Sequence, residues 1–312
     1  MTTLLVASGG GHLKQLHKLA PRLGVESDRA WITFDTALSR SLLETEDVSY
    51  APYANPHDIK GTFRDAMFGM GLLRRRHFDR VISTGANLAV ALLPQARVRG
   101  ALAQYIESAT RSQGPSASGR ILQMTPGIDL YTQHRAWAKG RWKYGGSVFE
   151  NFQATHAEGQ LPRSDGKRIV ITLGSNDSYP FRALVDRVQS ILPAGVEVLW
   201  QLGSTPAQIP GTRADVPFDE LFSAMERADA VIAHAGTGSA LTALEAGKLP
   251  ILVTRRSSRG EHIDDHQELT AEYLSSLGLA LAVEADALSW NDVEVAAQWK
   301  VTERPDPPPF VF

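Results

Sequence analysis

A glycine-rich hexapeptide, HAGTGS at 234–239, is the clearest sign of chemistry in this sequence. It follows the apolar run ADAVIA and precedes a segment with helical spacing, so the pattern predicts a strand, a loop and a helix. Such a helix begins with unpaired N–H groups and a partial positive charge, which together attract phosphate. The residues assigned to substrate binding on this ground are His234, Gly236, Thr237, Gly238 and Ser239. A tight turn that needs small residues only for packing would have the same composition.

Polar side chains further along the chain suit a ligand with several hydroxyl groups. Glu245 lies about two helical turns beyond the loop, where a carboxylate can accept hydrogen bonds from both hydroxyls of a ribose. Asp264, His266 and Gln267 are predicted at the start of a later helix, and each can bond adjacent hydroxyls of a sugar ring. The alternative for this second group is a surface helix that Asp264 or Asp265 caps.

A second glycine loop, SGGGHLKQL, follows the first apolar run of the chain. It does not match the G-x-G-x-x-G dinucleotide motif, because Lys14 occupies the third glycine position, and hydride chemistry is therefore disfavoured. We expect Gly9, Gly10 and Gly11 at a helix N-terminus. His12 directly follows these glycines. An imidazole that titrates near neutrality can remove a proton from an attacking hydroxyl. The alternative is that His12 only caps the helix or packs.

The elements that must position these loops alternate along the whole chain, as in parallel sheets with crossover helices. The predicted strands are Leu4–Ser8, Trp31–Phe34, Val48–Tyr53, Arg80–Ser83 and Ala101–Ile106, then Arg168–Leu173, Glu197–Gln201, Ala230–Ala233 and Leu249–Val253. We predict an α/β protein with two doubly wound, Rossmann-like domains, residues 1–160 and 161–312, joined by the polar segment Gln153–Lys167. Ligands are expected beyond the carboxyl ends of the strands, in a central cleft between the domains. The tail Arg304–Phe312 has four prolines and is not expected to be helical.

Composition narrows the class of protein. The 312 residues, 43% hydrophobic and 21% charged, are typical of two ordinary globular domains. The absence of cysteine excludes disulfides and fits a reducing compartment. Neither a signal peptide nor a membrane-spanning run is recognisable. We therefore expect a cytoplasmic protein. Residues 1–160 carry 19 Lys and Arg against 13 Asp and Glu, and residues 161–312 carry 13 against 21. The basic first half suggests an anionic partner, although solvated charge explains many such imbalances.

Residues 168–283 resemble the C-terminal, nucleotide-sugar-binding domain of family 28 glycosyltransferases. The likeness rests on the HAGTGS loop with its helix, the run RRSSRGEHIDDHQEL, and the strand-loop segment ITLGSNDSYPF. It implies that the loop binds the diphosphate, that Glu245 binds the ribose, and that His266 with Gln267 binds the donor sugar. Gly174 and Ser175 would then lie close to the diphosphate. Relatives often have Gly-Thr where this chain has Ser175-Asn176, so this loop departs from the family pattern.

The first half resembles the acceptor-handling, membrane-side partner of two-component N-acetylglucosaminyl and glucuronosyl transferases of dolichol-linked oligosaccharide and bacterial exopolysaccharide synthesis. Three stretches carry the likeness: SGGGHLKQL, ISTGANLAV (Ile82–Val90) and YIESATRSQGPSASGRIL (Tyr105–Leu122). The chain therefore resembles a fusion of both partners over most of residues 4–290, which implies the GT-B fold. Glu107 and Arg111 match recurring positions, Glu107 as a second candidate base and Arg111 as a substrate-binding residue. The segment TQHRAW departs from the pattern, since relatives tend to have Trp directly after Gln.

The resemblance implies an inverting, metal-independent glycosyltransferase that moves a sugar from a UDP-sugar to a polyprenyl-diphosphate-linked acceptor in polysaccharide biosynthesis. The UDP-sugar is a co-substrate, so we expect no cofactor, no metal site and no nucleic-acid partner. Arg255, Arg256 and Arg259 favour UDP-glucuronate over UDP-N-acetylglucosamine, because guanidinium groups pair with carboxylates, unless they are solvated loop charges. Two alternatives stay open: a UDP-sugar epimerase or hydrolase on the same scaffold, and a non-catalytic UDP-sugar-binding subunit.

The segment 59–76 is predicted to be a helix with an apolar stripe and a basic end. The stripe is Ile59, Phe63, Met67, Met70 and Leu73, with Phe68 and Leu72 off it, and Arg74, Arg75 and Arg76 follow. Apolar and basic residues together suit an interfacial helix on anionic lipid, so we expect peripheral attachment to the inner face of the membrane. The alternative is a core helix with a solvated basic end.

Overall fold

The computed structural model describes residues 1–25, 28–54, 59–157, 167–174, 179–261 and 266–312, and the side chains of Ile59 and His266 also fall outside the description. The chain forms two compact units, each with its own parallel sheet. The first unit comprises Met1–Val148 together with Pro307–Phe312, and the second comprises Phe149–Asp306. The chain therefore passes between the units twice.

The first unit is a doubly wound sheet. Its elements are β1 (Thr3–Ala7), α1 (Gly11–Leu19), β2 (Arg29–Phe34), α2 (Ala37–Leu42), β3 (Val48–Ala51), α3 (Ile59–Arg75), β4 (Arg80–Gly85), α4 (Asn87–Val98), β5 (Leu102–Ile106), α5 (Ala117–Met124), β6 (Ile128–Thr132) and β7 (Trp142–Tyr144). The strands are parallel in the order β3-β2-β1-β4-β5-β6-β7. The order reverses between β1 and β4, and sheets of this kind bind ligands in the crevice beyond the carboxyl ends of such a pair.

Close packing of two helices shapes this unit beside that crevice. Leu88, Leu92 and their neighbours on α4 belong to the apolar core that also contains Leu4 and Val6 of β1. Helix α3 packs on α4 at Gly69, where an added Cβ would lie 2.7 Å from Leu92 Cγ. A larger residue at 69 would therefore push α3 away from α4. In the described part of the chain, no helix is long and apolar enough to cross a membrane.

The second unit is also doubly wound. Its elements are β8 (Phe152–His156), β9 (Arg168–Thr172), α6 (Arg182–Ile191), β10 (Glu197–Gln201), α7 (Phe218–Arg227), β11 (Ala230–His234), α8 (Thr237–Glu245), β12 (Pro250–Val253), α9 (His266–Ser276), β13 (Leu281–Val283), α10 (Trp290–Ala297) and β14 (Trp299–Glu303). Five strands are parallel in the order β10-β9-β11-β12-β13, and β8 pairs with β14 in an antiparallel ribbon. Here the order reverses between β9 and β11.

All the predicted strands are present, with ends shifted by a few residues, and the tail 304–312 contains no helix, as expected. The prediction of a linker at Gln153–Lys167 was wrong at its start, because Gln153–His156 belong to β8. Since β8 pairs with β14 near the other end of the chain, the division falls at Val148 and Phe149 rather than after residue 160. The last residues return to the first unit, where the Phe310 amide donates to the Arg22 carbonyl oxygen at 2.9 Å.

Candidate functional site

The first glycine loop lies at the switch point of the first sheet, between the end of β1 and α1. Gly10 has φ +67°, which favours glycine because other residues rarely adopt it. Within the described chain, no side chain caps the amides of the first turn of α1, and such amides are open to an anion. The Ala86 amide donates to Ser8 Oγ at 2.8 Å, and the Ser8 amide donates to the Gly85 carbonyl oxygen at 2.7 Å. The loops after β1 and β4 are therefore held together.

His12 lies on the first turn of α1 with a fixed ring orientation. Its Nδ1 lies 2.7 Å from the Thr84 carbonyl oxygen, so Nδ1 carries the hydrogen and donates it. In the neutral ring, Nε2 then has a free lone pair. Burial lowers the pKa of His12, against the smaller raising effects of the Thr84 hydrogen bond and the Glu107 charge, so the ring is neutral at neutral pH. His12 thus has the protonation state that a general base needs.

Glu107, the second candidate base, is fully buried and accepts four hydrogen bonds. The donors are the Tyr105 hydroxyl at 3.0 Å, the Ser108 amide at 3.0 Å, and the Ser116 amide and hydroxyl at 2.8 and 2.9 Å. The Glu107 carboxylate therefore holds the start of α5 against the end of β5. A base must offer a lone pair to its substrate, so this geometry favours His12 over Glu107.

Two buried glutamines, which the sequence did not point to, support the loop after β5. Gln15 Oε1 accepts from the Ala109 amide at 2.9 Å and from Gln133 Nε2 at 3.0 Å. Gln133 Nε2 also donates to the Glu107 carbonyl oxygen at 3.0 Å. Arg111 at the end of this loop has an exposed side chain, and its carbonyl oxygen accepts from Trp137 Nε1 at 2.8 Å. The divergent segment Thr132–Trp137 therefore supports the loop that carries Arg111.

An apolar groove of about 880 Å³ lies next to His12 in the first unit. Helices α3, α4 and α5 form its walls. The residues that line it are His12, Thr62, Phe63, Ala66, Met70, Ala86, Asn87, Val90, Ala91, Gln95, Ser116, Ala117, Ser118 and Ile121. Phe63 and Ile121 are 67% and 45% exposed, so the groove opens to the surface along an apolar rim. An apolar group bound in this groove would therefore lie beside the His12 ring.

The second glycine loop lies at the switch point of the second sheet and closes around His234. An added Cβ would lie 2.8 Å from the His234 ring at Gly174 and 2.2 Å from it at Gly236. Both positions therefore need glycine if His234 is to keep this place at the end of β11. Over the described residues, no side chain caps α8, which begins at Thr237 directly after this loop. Its first amides lie where the sequence analysis expects a phosphate, and uncapped amides of this kind attract anions.

A cavity of about 410 Å³ adjoins this loop within the second unit. The residues that line it are Thr172, Gly174, Gln201, Leu221, Met225, His234, Gly238, Ser239 and Thr242. Thr242, one turn before the end of α8, is part of this lining, whereas Glu245, the last residue of α8, is not. Thr242 therefore lies beside the cavity, and the role of Glu245 in binding ribose stays a prediction.

The other predicted donor-binding residues are only partly covered by the structure. Gln267 is buried near the start of α9, and its Oε1 accepts from the Arg255 amide at 3.4 Å. Ser175, Asp264 and the side chain of His266 lie outside the described residues. In the part of the chain that is described, no group of His, Asp and Glu side chains could hold a metal ion.

Comparison with known proteins identifies the second unit. Residues 168–299 match the sequence profile of the glycosyltransferase family 28 C-terminal domain. The second unit belongs to this family. A curated relative, the UDP-N-acetylglucosamine--N-acetylmuramyl-(pentapeptide) pyrophosphoryl-undecaprenol N-acetylglucosamine transferase of Nitratidesulfovibrio vulgaris, is 30% identical over 233 residues, which cover 69% of this chain and 61% of that protein. The UDP-N-acetylglucosamine transferase subunit ALG13 of Yarrowia lipolytica is 28% identical over 159 residues, which cover 45% of this chain and 77% of that subunit.

Solved structures share the fold of the family 28 unit and of the rest of the chain. The crystal structure of Acinetobacter baumannii MurG has a TM-score of 0.54 at 16% identity and covers 96% of this chain and 89% of that one. The UDP-GlcNAc 2-epimerase of Methanocaldococcus jannaschii has a TM-score of 0.55 at 11% identity and covers 100% of this chain and 96% of that one. The predicted GT-B fold class, with two Rossmann-like units, is confirmed. Because a transferase and an epimerase both share it, the fold does not select the reaction.

The three arginines of the family 28 unit do not support glucuronate as the donor sugar. Arg255 is 2% exposed and donates to the carbonyl oxygens of Tyr179 at 2.7 Å and Leu173 at 2.9 Å. The partners of the others are acidic: Arg256 pairs with Glu268 at 2.8 Å and Glu284 at 2.5 Å, and Arg259 lies 3.7 Å from Asp286. Protein groups therefore engage Arg255 and Arg256, whereas Arg259 is exposed and has a single contact at 3.7 Å, and glucuronate as the donor sugar stays a prediction. Arg255 instead ties the segment after β9 to the end of β12.

Proposed function

We propose that this chain transfers N-acetylglucosamine from UDP-N-acetylglucosamine to a hydroxyl group of a lipid-linked acceptor. Two relatives support the donor, since both are named for UDP-N-acetylglucosamine transfer. The name of the first relative also includes a pyrophosphoryl-undecaprenol acceptor, which suits a chain with an apolar groove beside His12. The product belongs to the lipid-linked intermediates of polysaccharide assembly.

The His12 ring, fixed by Thr84 at the end of the groove, is the observation that carries this proposal. The acceptor oxygen attacks the anomeric carbon as its proton passes to His12 Nε2. A new carbon–oxygen bond forms while the bond from the anomeric carbon to the diphosphate breaks, and UDP leaves with the electron pair. Attack opposite the leaving group inverts the anomeric configuration.

The leaving diphosphate is assigned to the first turn of α8, where Gly238 and Ser239 line the cavity of the second unit. Free amides and the helix dipole stabilise negative charge there without a metal ion. The UDP-sugar takes part as a co-substrate, and the proposed chemistry needs no further cofactor.

The surface of α3 supports a place on the cytoplasmic face of the membrane. Phe63 and Met67 are 67% and 60% exposed, although Phe68 and Leu72 pack against the core. Arg74 and Arg75 are exposed at the end of the helix, whereas Arg76 pairs with Asp47 and lies over Phe78. An apolar surface with free cations suits peripheral binding to anionic lipid.

Vesicle binding tests the membrane proposal. The 312-residue chain should sediment with vesicles that contain anionic phospholipid, and the double substitution Arg74→Glu and Arg75→Glu should release it. The control is the double substitution Arg97→Glu and Arg99→Glu, which makes the same change of charge. Arg97 lies on α4, and Arg99 directly follows that helix. Equal binding by both double variants would remove the membrane role of α3.

Product analysis tests the transfer itself. The protein is incubated with UDP-N-acetylglucosamine and a polyprenyl-diphosphate-linked sugar, and both UDP and the lipid-linked product are measured by mass spectrometry. Acceptor-dependent UDP release with one added N-acetylhexosamine supports the proposal. Conversion of the donor without acceptor would instead show an epimerase or hydrolase, and binding of donor without any reaction would show a non-catalytic subunit.

A further inference from the structure

The proposed transfer places a positive charge on a buried side chain. When His12 Nε2 takes the proton of the acceptor hydroxyl, the neutral ring becomes an imidazolium. Burial disfavours this charged form and is the main cause of the lowered pKa of His12. The described residues that line the groove from α3, α4 and α5 include no charged side chain. A group that stabilises the imidazolium therefore has to lie outside this lining.

Glu107, directly after β5, is connected to the His12 ring through one side chain. A Cβ added at Gly85 would lie 3.0 Å from His12 Cε1 and 3.4 Å from the Tyr105 hydroxyl oxygen, so the ring and the hydroxyl approach each other at this glycine. The same hydroxyl donates to Glu107 Oε1 at 3.0 Å. The carboxylate is therefore near enough for its negative charge to raise the pKa of His12, against the effect of burial.

The surroundings of Glu107 favour its negative charge. All four hydrogen bonds at its oxygens come from donors, and an ionised carboxyl group only accepts. The side chain is fully buried, so water screens its charge little and its attraction for a nearby cation is stronger than at the surface. Arg111 is another charged group that acts on Tyr105, but its side chain is exposed, where solvent screens it. Glu107 is thus the buried anion that offsets a charge on His12.

We propose that Glu107 is a positioning residue of the transfer, whose negative charge stabilises the imidazolium of His12 while the acceptor oxygen attacks. This inference rests on the proposed function, with His12 as the base. The acceptor proton stays on His12 Nε2 and none passes to Glu107, whose oxygens keep their four protein donors. The carboxylate lowers the barrier through space, and the bonds that form and break at the anomeric carbon are those of the transfer itself.

Two substitutions at position 107 separate the charge from the hydrogen bonds. Glu107→Gln removes the charge at the same side-chain length, and Glu107→Asp keeps the charge on a shorter side chain. In Glu107→Gln, kcat should fall about tenfold or more, and the acid limb of kcat/KM should move down by about half to one pH unit, because the ring then binds its proton less tightly. In Glu107→Asp the acid limb should stay near its wild-type midpoint. A residue that only holds α5 in place would leave the midpoint unchanged in both variants.

Tyr105→Phe is the matched control, since it removes one of the four hydrogen bonds to the same carboxylate and leaves the charge. Its acid limb should also keep the wild-type midpoint. A second measurement needs no change at position 107 and decides the matter even if Glu107→Gln does not fold. The NMR signal of the Glu107 carboxyl carbon should move at the pH where the His12 ring titrates, and this movement should be absent from His12→Ala.

The outcomes for Glu107 and for the transfer are distinguishable. An acid limb that stays unchanged in Glu107→Gln, or a carboxyl signal that does not respond to His12, overturns the role of Glu107 and leaves the proposed transfer standing. No transfer by the wild-type protein overturns the proposed function, while the NMR titration still decides whether the two side chains interact.

Discussion

His12 and Thr84 hold each other at two points. The ring Nδ1 of His12 donates to the Thr84 carbonyl oxygen at 2.7 Å, and the Thr84 hydroxyl donates to the His12 carbonyl oxygen at 2.8 Å. Gly85 follows directly with φ +110°, and an added Cβ there would lie 3.0 Å from His12 Cε1. The end of β4 therefore fixes both the tautomer and the position of the ring.

His12→Ala should lower kcat by about 10²- to 10⁴-fold, the range for loss of a general base. The donor is assigned to the second unit, so UDP affinity measured by calorimetry should stay unchanged. His17→Ala on the same helix is the matched control, since His17 does not line the groove. If His12→Ala kept the full kcat for transfer to the acceptor, the assigned base would be wrong.

The pH dependence of the transfer follows from the neutral state of His12. Burial is the main cause of its lowered pKa, and the base acts only when neutral. The kcat/KM should therefore be flat through neutral pH and fall only as the pH drops through a value below the ordinary histidine pKa of about 6.5. A pH profile with UDP-N-acetylglucosamine and saturating acceptor measures this. An acid limb with its midpoint above pH 7 would contradict the assignment.

Local patterns in the sequence were enough to place both glycine loops. Each loop follows a buried strand and opens a helix, and parallel sheets bring such loops to their switch points. The Gln15 to Gln133 contact spans 118 residues, and no local pattern encodes it. The pairing of β8 with β14 escaped prediction for the same reason. Thr242 and Glu245 are three residues apart on one helix, and the sequence could not show where along that helix the cavity ends.

Two glycines of the HAGTGS loop should respond differently to alanine. At Gly236 an added Cβ would lie 2.2 Å from His234 Nε2, whereas at Gly238 it would meet no atom within 4 Å. Gly236→Ala should therefore lower the free energy of unfolding by about 1–3 kcal/mol, as overpacking does. Gly238→Ala should leave it unchanged or raise it by less than about 1 kcal/mol, because alanine is the better helix former. Urea unfolding of both variants measures the difference, and equal losses would contradict the packing of His234.

The last prediction separates Thr242 from Glu245 as the residue beside the bound nucleotide. Thr242 lines the cavity of the second unit, and its hydroxyl donates to the Gly238 carbonyl oxygen at 2.9 Å. Thr242→Leu keeps the helix but extends the side chain into the cavity, so UDP affinity measured by calorimetry should fall at least about tenfold, the effect of about 1.4 kcal/mol. Glu245→Ala at the end of the same helix should change that affinity by less than the substitution at 242. If Glu245→Ala weakened UDP binding more than Thr242→Leu, Glu245 would be the residue that binds the ribose. A carboxylate that holds two hydroxyls cannot be removed without weakening the complex.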